Sequence, residues 1–393
     1  MTHGAAQARR HDVVIVGGGP SGSTLGALLA RSGLSVLIID RSEFPRDKLC
    51  GGLVSARGAD AIRNAFGEEI LRQVAVKRDT GCRLFHKERL VADIEDAGIS
   101  YSVDRREMDA RFLSIARDAG CRVSEGTRVA AVELGDSAAR LESGRYERGS
   151  IIVGADGAQS VVQRAIHGRA DSNRRNVGFA LVSRVPLELV KDDATHAACR
   201  DRPHVFFGVV PWGYGWIFPK GDHLLLGMGG LTRKGSRFRG AFEALVDAYC
   251  VAGARSRLKV RGGLVPAGNF GRSPGHGNVL LLGDAAGLAE PCTGEGIVYA
   301  VESALLAAPA IRESLARGKP ASAGRLYNTA CRRKLLPWLR CVLRARWLLY
   351  SKPCLPLAMR AFRRRPELLR MYYQMAEGKM SFVRYFRHIV LGF

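Results

Sequence analysis

Acidic residues are scarce in this 393-residue chain: 37 Asp and Glu face 60 Lys and Arg, leaving a formal net charge of +23. The imbalance asks for an anionic partner, whether nucleic acid, phospholipid headgroup or phosphorylated substrate. No nucleic-acid-binding motif accompanies the charge, so nucleic acid is the partner the sequence argues against. CxxC pairs are absent, and the nine cysteines are odd in number. They fit neither a disulfide framework nor a zinc site, which points to a reducing cytoplasm and to no metal. The stretch MTHGAAQARRHD lacks the apolar core of a signal peptide. No internal repeat or low-complexity linker is visible. A hydrophobic content of 47% and a charged content of 25% exclude disorder, and the length suits two modest domains or one large one.

The charge is concentrated late in the chain. Residues 330–393 hold fifteen Lys or Arg against two acids, Glu367 and Glu377. The same region interleaves apolar and aromatic residues, as in CRRKLLPWLRCVLRARWLLY. A basic helix with Trp338, Leu339, Val342 and Trp347 has the composition of an interfacial segment lying on anionic lipid, at the inner face of a membrane. A charged face docked on the body of the protein is the alternative.

Residues 13–30 carry no charge, but their glycines and proline argue against a membrane span. DVVIVGGGPSGSTLGALLARSGLSVLIID reads instead as strand, glycine turn, helix, strand. Gly17, Gly19 and Gly22 form GxGxxG, and Asp40 closes the second strand 23 residues after Gly17, where an acid can bind a ribose hydroxyl. The first glycine permits the turn, the second lets a pyrophosphate approach, and the third lets helix and strand pack. The phosphate then meets the positive end of the helix.

That fingerprint does not separate NAD from FAD; later segments do. GNVLLLGDAAGLAEPCTGEGI reads as a strand running into Gly283-Asp284 and then small residues that open a helix. Asp284 can accept hydrogen bonds from the polyol linking flavin to phosphate, which NAD lacks, and a helix terminus there favours an anionic reduced flavin. IIVGADGAQSVVQR leads a strand into Asp156 and Gly157, with Arg164 on the helix that follows. VDRREMDARFL places Arg105 at the head of a helix, within reach of dinucleotide phosphates.

GxGxxG, the Arg105 helix, GADGAQS and GDAAG, in this order, resemble the para-hydroxybenzoate hydroxylase-like FAD oxidoreductases, over about residues 12–320. Two further segments are similar to geranylgeranyl reductases within that group. PWGYGWIFP matches their P-x-x-Y-x-W-x-F-P pattern from Pro211 through Tyr214, Trp216 and Phe218 to Pro219. DKLCGGLVS resembles their K-x-C-G-G element near the flavin, at Cys50 and Gly51. The resemblance implies FAD as cofactor and a prenyl lipid or prenyl diphosphate as substrate, with NADPH or a reduced ferredoxin or flavodoxin as reductant.

An isolated alkene is a poor hydride acceptor, and positive character develops as hydride and proton are added. Aromatic faces attract such charge, each worth on the order of 0.5–2 kcal/mol when desolvated. Tyr214 and Trp216 are thus expected as wall and charge stabiliser, with Pro211, Phe218 and Pro219 as substrate-binding neighbours; plain core packing of these rings is the alternative. Cys50 is a candidate proton donor or loop-shaping residue. Gly294 and Gly296, in PCTGEGI, bring backbone amides near the flavin's carbonyl edge, and Glu295 either orients a bound group or simply begins a helix.

The expected architecture is α/β: a Rossmann-type FAD-binding domain from residues 1–170 and 266–324, with an excursion near 76–100 into the substrate layer. An inserted antiparallel-sheet substrate domain spans 171–265, and a basic helical region spans 325–393, punctuated by Pro337, Pro353, Pro356 and Pro366. Two rivals stay open: an FAD-dependent monooxygenase of an aromatic or lipid substrate, and a membrane-associated flavin carrier without turnover of its own. A halogenase fits less well, because YGWIFP lacks the W-x-W-x-I-P pattern.

Overall fold

The computed structural model describes residues 10–95, 98–168, 176–232, 238–376, 379–381, 384–385 and 387–388. The amino-terminal residues 1–9, Glu377 and the end of the basic region, 389–393, lie outside the described residues.

The strand Arg10–Val16 carries consecutive apolar residues, and Val13, Val14 and Ile15 are fully buried. An apolar run of this kind belongs in a parallel sheet covered on both faces. Its sheet has the order Gly275–His276, Val279–Leu281, Tyr146–Gly154, Arg10–Val16, Val36–Ile39, Arg122–Ser124. The last five are mutually parallel; the short strand Ala138–Leu141 pairs antiparallel with Tyr146–Gly154, and Val129–Glu133 pairs antiparallel with Ala138–Leu141 in turn. Helices Pro20–Ala30, Arg105–Asp118 and Ile297–Ala316 cover it.

A second, seven-stranded sheet has the order Arg261–Val265, Gly178–Pro186, His223–Leu231, Gly213–Pro219, His204–Phe207, Cys82–His86, Arg89–Ile94. Pairing is antiparallel except between His204–Phe207 and Cys82–His86, which run parallel. The hairpin Cys82–Ile94 thus joins the sheet of residues 178–265. Helix Phe238–Tyr249 seals the back of that sheet through Phe242 and Leu245, against Ile217, Leu226 and Met228. A small sheet of Leu53–Ser55, Ser100–Val103 and Ala75–Asp79 sits between the two.

Four helices follow among the described residues: Ala323–Lys334, Leu336–Tyr350, Cys354–Arg364 and Glu367–Ala376. Met359 and Leu369 pack on Cys82, Leu84, Ala92 and Ile94 of the second sheet. The α/β class, the Rossmann-type sheet, the second sheet and the helical end all agree with the sequence reading.

One local expectation fails. GDAAG does not open a helix; Gly283–Ala286 is a single 3-10 turn, stopped by Gly287 at φ +71°. The left-handed glycine returns its own N–H to Asp284 and ends the turn. The long helix begins only at Ile297, after Gly296.

Candidate active site

A continuous cavity of about 1830 Å³ begins at the carboxyl ends of the parallel strands. Gly17, Asp40, Asp156 and Asp284 each follow one of four such strands, and all four line it. That edge of an open parallel sheet is where ligands bind in such folds.

Gly17 adopts φ +108°, and a β-carbon there would fall 2.3 Å from the Ala155 carbonyl oxygen. Gly19 ends the turn, and Pro20 begins a helix whose first residues, Pro20 and Ser21, line the cavity. Gly22 does not line the cavity; a β-carbon on it would meet the Gly17 oxygen at 1.9 Å, so its role is close packing. Asp40 accepts from Gly18 N at 2.7 Å and Ser42 N at 2.9 Å, leaving about half of its lone-pair positions for a ligand.

Arg105 lines the cavity and is gripped by a residue the sequence reading passed over. Asp109, fully buried, receives Nε and Nη2 of Arg105 at 2.7 Å each, and Arg46 approaches the same carboxylate at 3.3 Å. A bidentate pair of this kind fixes the guanidinium plane. The i, i+4 spacing of Arg105 and Asp109 on one helix was the available signal. Asp156 accepts from Val161 N at 2.7 Å through Oδ2, while its buried Oδ1 has no partner among the described residues. Burial pushes this carboxyl's pKa up. Gly157, at φ +77°, lines the cavity beside it. Gly283 is buried and does not reach the cavity, although Asp284 does.

Tyr214, Trp216 and Phe218 occupy alternate positions of the strand Gly213–Pro219 and share its cavity face. Ring centroids lie 5.5 Å apart for Tyr214–Trp216 and 6.0 Å for Trp216–Phe218, so the three form one wall. Ile217, on the opposite face, supplies the core contact instead. Tyr214 Oη donates to the Thr293 carbonyl. Pro211 is exposed and Pro219 buried, and neither lines the cavity; Trp212, held at φ +53°, does.

Cys50 and Gly51 abut this wall. A β-carbon on Gly51 would lie 3.0 Å from the Phe218 ring and 3.6 Å from Trp216 Nε1. Gly52 N donates to Cys50 Sγ at 3.3 Å. Beneath the loop, Lys220 is 5% exposed and donates to the carbonyls of Gly52 at 2.6 Å and Val103 at 3.2 Å. Burial pulls its pKa down to about 8. A lysine ending an apolar strand next to Pro219 was the only hint in the sequence.

The turn Pro291–Gly296 forms the opposite side. Gly294 and Gly296 line the cavity, Gly294 at φ +68°. Glu295 is not an exposed helix-terminal acid: its Oε1 accepts from Ser55 N at 3.2 Å and Ser55 Oγ at 2.7 Å, and burial pushes its pKa up. Glu290, also unremarked in the sequence, organises the turn through Cys292 N at 2.9 Å and Thr293 Oγ1 at 2.6 Å, again with its pKa raised by burial.

The C-terminal helices supply the far end. Of the residues behind the interfacial reading, Leu339 and Val342 are buried and Trp338 donates to Tyr299 Oη at 2.9 Å. Only Trp347 stays exposed. Val342, Tyr350, Tyr372 and Tyr373 line the cavity. Tyr350 donates to the Cys292 carbonyl at 2.7 Å and packs on Phe207, which packs on Tyr214.

A family model described as an FAD binding domain matches residues 10–220. The chain belongs to this FAD-binding family. It is 31% identical to a menaquinone reductase of Mycolicibacterium smegmatis over 76% of each chain. It is 29% identical to a geranylgeranyl diphosphate reductase of Rhodobacter capsulatus, over 79% of this chain and 78% of that one. The fold matches a solved geranylgeranyl bacteriochlorophyll reductase-like protein of Thermoplasma acidophilum, at TM-score 0.76 and 19% identity, covering 97% of this chain and 100% of that one. A probable FAD-dependent monooxygenase of Pseudomonas aeruginosa shares the fold at TM-score 0.64 and 19% identity, covering 90% and 99%.

The residues fit FAD. The unpartnered, buried Asp156 Oδ1, the cradle at Gly17 and Gly19, and the paired Arg46 and Arg105 together offer a polar, partly cationic slot for a dinucleotide. Beyond that slot the FAD-binding oxidoreductase changes character. Among the described residues, neither 177–267 nor 290–385 contributes a Lys or Arg to the lining.

Proposed function

We propose that the protein is an FAD-dependent reductase of isolated carbon–carbon double bonds in a prenyl chain. The reading is carried by the aromatic wall of Tyr214, Trp216 and Phe218, set against the Cys50–Gly51 loop in an apolar cavity. Reduced FAD, when bound, supplies a hydride. Gly17, Gly19, Asp40, Arg105, Asp156 and Asp284 hold the dinucleotide. Tyr214 and Trp216 present their faces to the alkene, exclude water and favour the positive charge that builds on it. The proton comes from Cys50 or from water. The tyrosine-lined far end takes the remainder of the chain.

Residues 177–267 and 290–385, which supply the aromatic wall and the far end, bring no Lys or Arg to the described lining, and this bears on the head group. A diphosphate carries several negative charges, and burying them without cations is prohibitive. The chain therefore enters tail-first and leaves its head outside. The names of the relatives support two candidate heads, a quinone and a diphosphate. We place the substrate domain at 171–265 and the enzyme in the cytoplasm, with electrons supplied by NADPH or by a reduced ferredoxin or flavodoxin.

The fold shared with a probable monooxygenase favours one second reading, oxygenation of a lipid on the same frame. One experiment separates the two. The flavin is reduced anaerobically, geranylgeranyl diphosphate or a prenylated quinone is added, and products are weighed by mass spectrometry. Gains of two hydrogens with flavin reoxidation support the reductase. A product formed only after air is admitted, and carrying oxygen, supports the monooxygenase.

A further inference from the structure

At the junction of the helices Leu336–Tyr350 and Cys354–Arg364, apolar residues of the cavity lining reach the surface. Leu348 and Leu357 line the cavity yet are 45% and 65% exposed, and Trp347 beside them is 53% exposed. Helical spacing explains the grouping. Arg340, Arg344, Trp347 and Leu348 recur three or four residues apart on one exposed face, as do Pro356, Leu357, Arg360 and Arg364 on the other helix. The large apolar side chains therefore cluster at the junction, while the arginines lie farther out along both helices, with Lys352 between them. Between Glu313 and Glu367 the sequence holds fourteen Lys or Arg and no acid. No helix among the described residues is long and apolar enough to cross a membrane.

We propose that this face docks on an anionic phospholipid bilayer, with Trp347, Leu348 and Leu357 inserted at the headgroup boundary, so that the cavity mouth opens into the lipid. Three features fix the occupant. An apolar tip ringed by cations, with no nearby acid in the sequence, complements an anionic surface. A tryptophan at the tip suits the interface, where one end of its ring is wet and the other apolar. Leu348 and Leu357 belong at once to the surface and to the cavity wall, so a chain leaving the bilayer here need not cross water. The proposal extends the prenyl-lipid reading to the surface from which substrate enters, and its test reads binding without turnover.

The flavin-loaded protein is sedimented with vesicles of phosphatidylcholine alone or with added phosphatidylglycerol, beside the variants Trp347→Glu and Arg344→Glu/Arg360→Glu. Neither variant changes a residue lining the cavity. Wild type is expected to bind the anionic vesicles, with binding that weakens as salt is raised. Each variant is expected to bind at least ten-fold more weakly while retaining its flavin absorbance. Wild type that ignores anionic vesicles overturns the proposal, and so do variants that bind as wild type does. A Trp347→Glu protein that loses its flavin leaves the arginine pair as the deciding variant. Vesicle binding without prenyl turnover upholds the docking face and rejects the reductase.

Discussion

Gly227 faces Trp216 directly across the paired strands Gly213–Pro219 and His223–Leu231, and a β-carbon built on it would fall 2.4 Å from the indole ring. The indole lies flat over its neighbour strand because that neighbour has no side chain. Gly227→Ala is therefore expected to lift Trp216 off the sheet by roughly 1 Å. The displaced ring can forfeit no more than the charge stabilisation it supplies, so a loss of about 2-fold to 30-fold in kcat is expected. Bound flavin should be unaffected, since Gly227 lies outside the nucleotide slot. Turnover within two-fold of wild type would remove the ring's position from the argument.

Tyr214 carries two functions that substitution can separate. Tyr214→Phe removes the donor to the Thr293 carbonyl but keeps the aromatic face. Turnover is expected to stay within about five-fold, because the face supplies the charge stabilisation. Trp216→Leu removes a face, and 0.5–2 kcal/mol of cation–π stabilisation corresponds to a loss of about 2-fold to 30-fold in kcat. Single-turnover kinetics of the reduced enzyme measures both. A larger loss in Tyr214→Phe than in Trp216→Leu would transfer the role to the hydroxyl.

Asp109→Asn is expected to weaken FAD binding. The substitution leaves Arg105, whose side chain is 10% exposed, without its charge partner. Breaking such a buried pair costs about 3–5 kcal/mol, seen as a lower denaturant midpoint of the apoprotein. Flavin titration should show at least a ten-fold rise in Kd, because both Arg105 and Arg46 lose the carboxylate that aims them. Unchanged flavin affinity beside a lowered midpoint would make the cluster structural only.

Lys220 predicts a stability that rises with pH. Its folded-state pKa is about 8, below the ordinary value of 10.5, because burial disfavours the ammonium. Below pH 8 both folded and unfolded chains carry the charge, and the burial penalty is fully present. Between pH 8 and 10.5 the unfolded chain holds more protons, so folding gains roughly 3 kcal/mol across the window. Urea midpoints compared with Lys220→Met, in which that increment is expected to vanish, isolate this lysine from other titrating groups. Parallel curves for the two proteins would refute the assignment.

The sequence revealed what depends on local pattern. GxGxxG, the Arg105 helix and the alternating rings of PWGYGWIFP are contiguous, so turn geometry and strand period place them directly. Residues whose meaning lies in a distant partner stayed hidden. Gly227 reads as one glycine among many until the strand pairing sets it opposite Trp216. Lys220 looks like a surface lysine until the Gly52 carbonyl is brought against it. The basic end of the chain shows the limit of composition. Its charge is plain, yet Leu339 and Val342, read as membrane-facing, are buried against the body of the protein. Charge density identifies a surface, but only packing shows which apolar residues remain on it.

The order of strands in the parallel sheet also governs how the protein is made. Val279–Leu281 pairs alongside Tyr146–Gly154, yet Val279 follows Gly154 by 125 residues. At about 5–20 residues per second, a ribosome needs on the order of ten seconds to deliver the missing strand. Throughout that interval the nascent chain presents an apolar strand edge, the feature by which unfinished sheets pair with one another. Soluble yield should therefore depend on elongation speed between these two strands, and on a chaperone that shields the edge until its neighbour arrives.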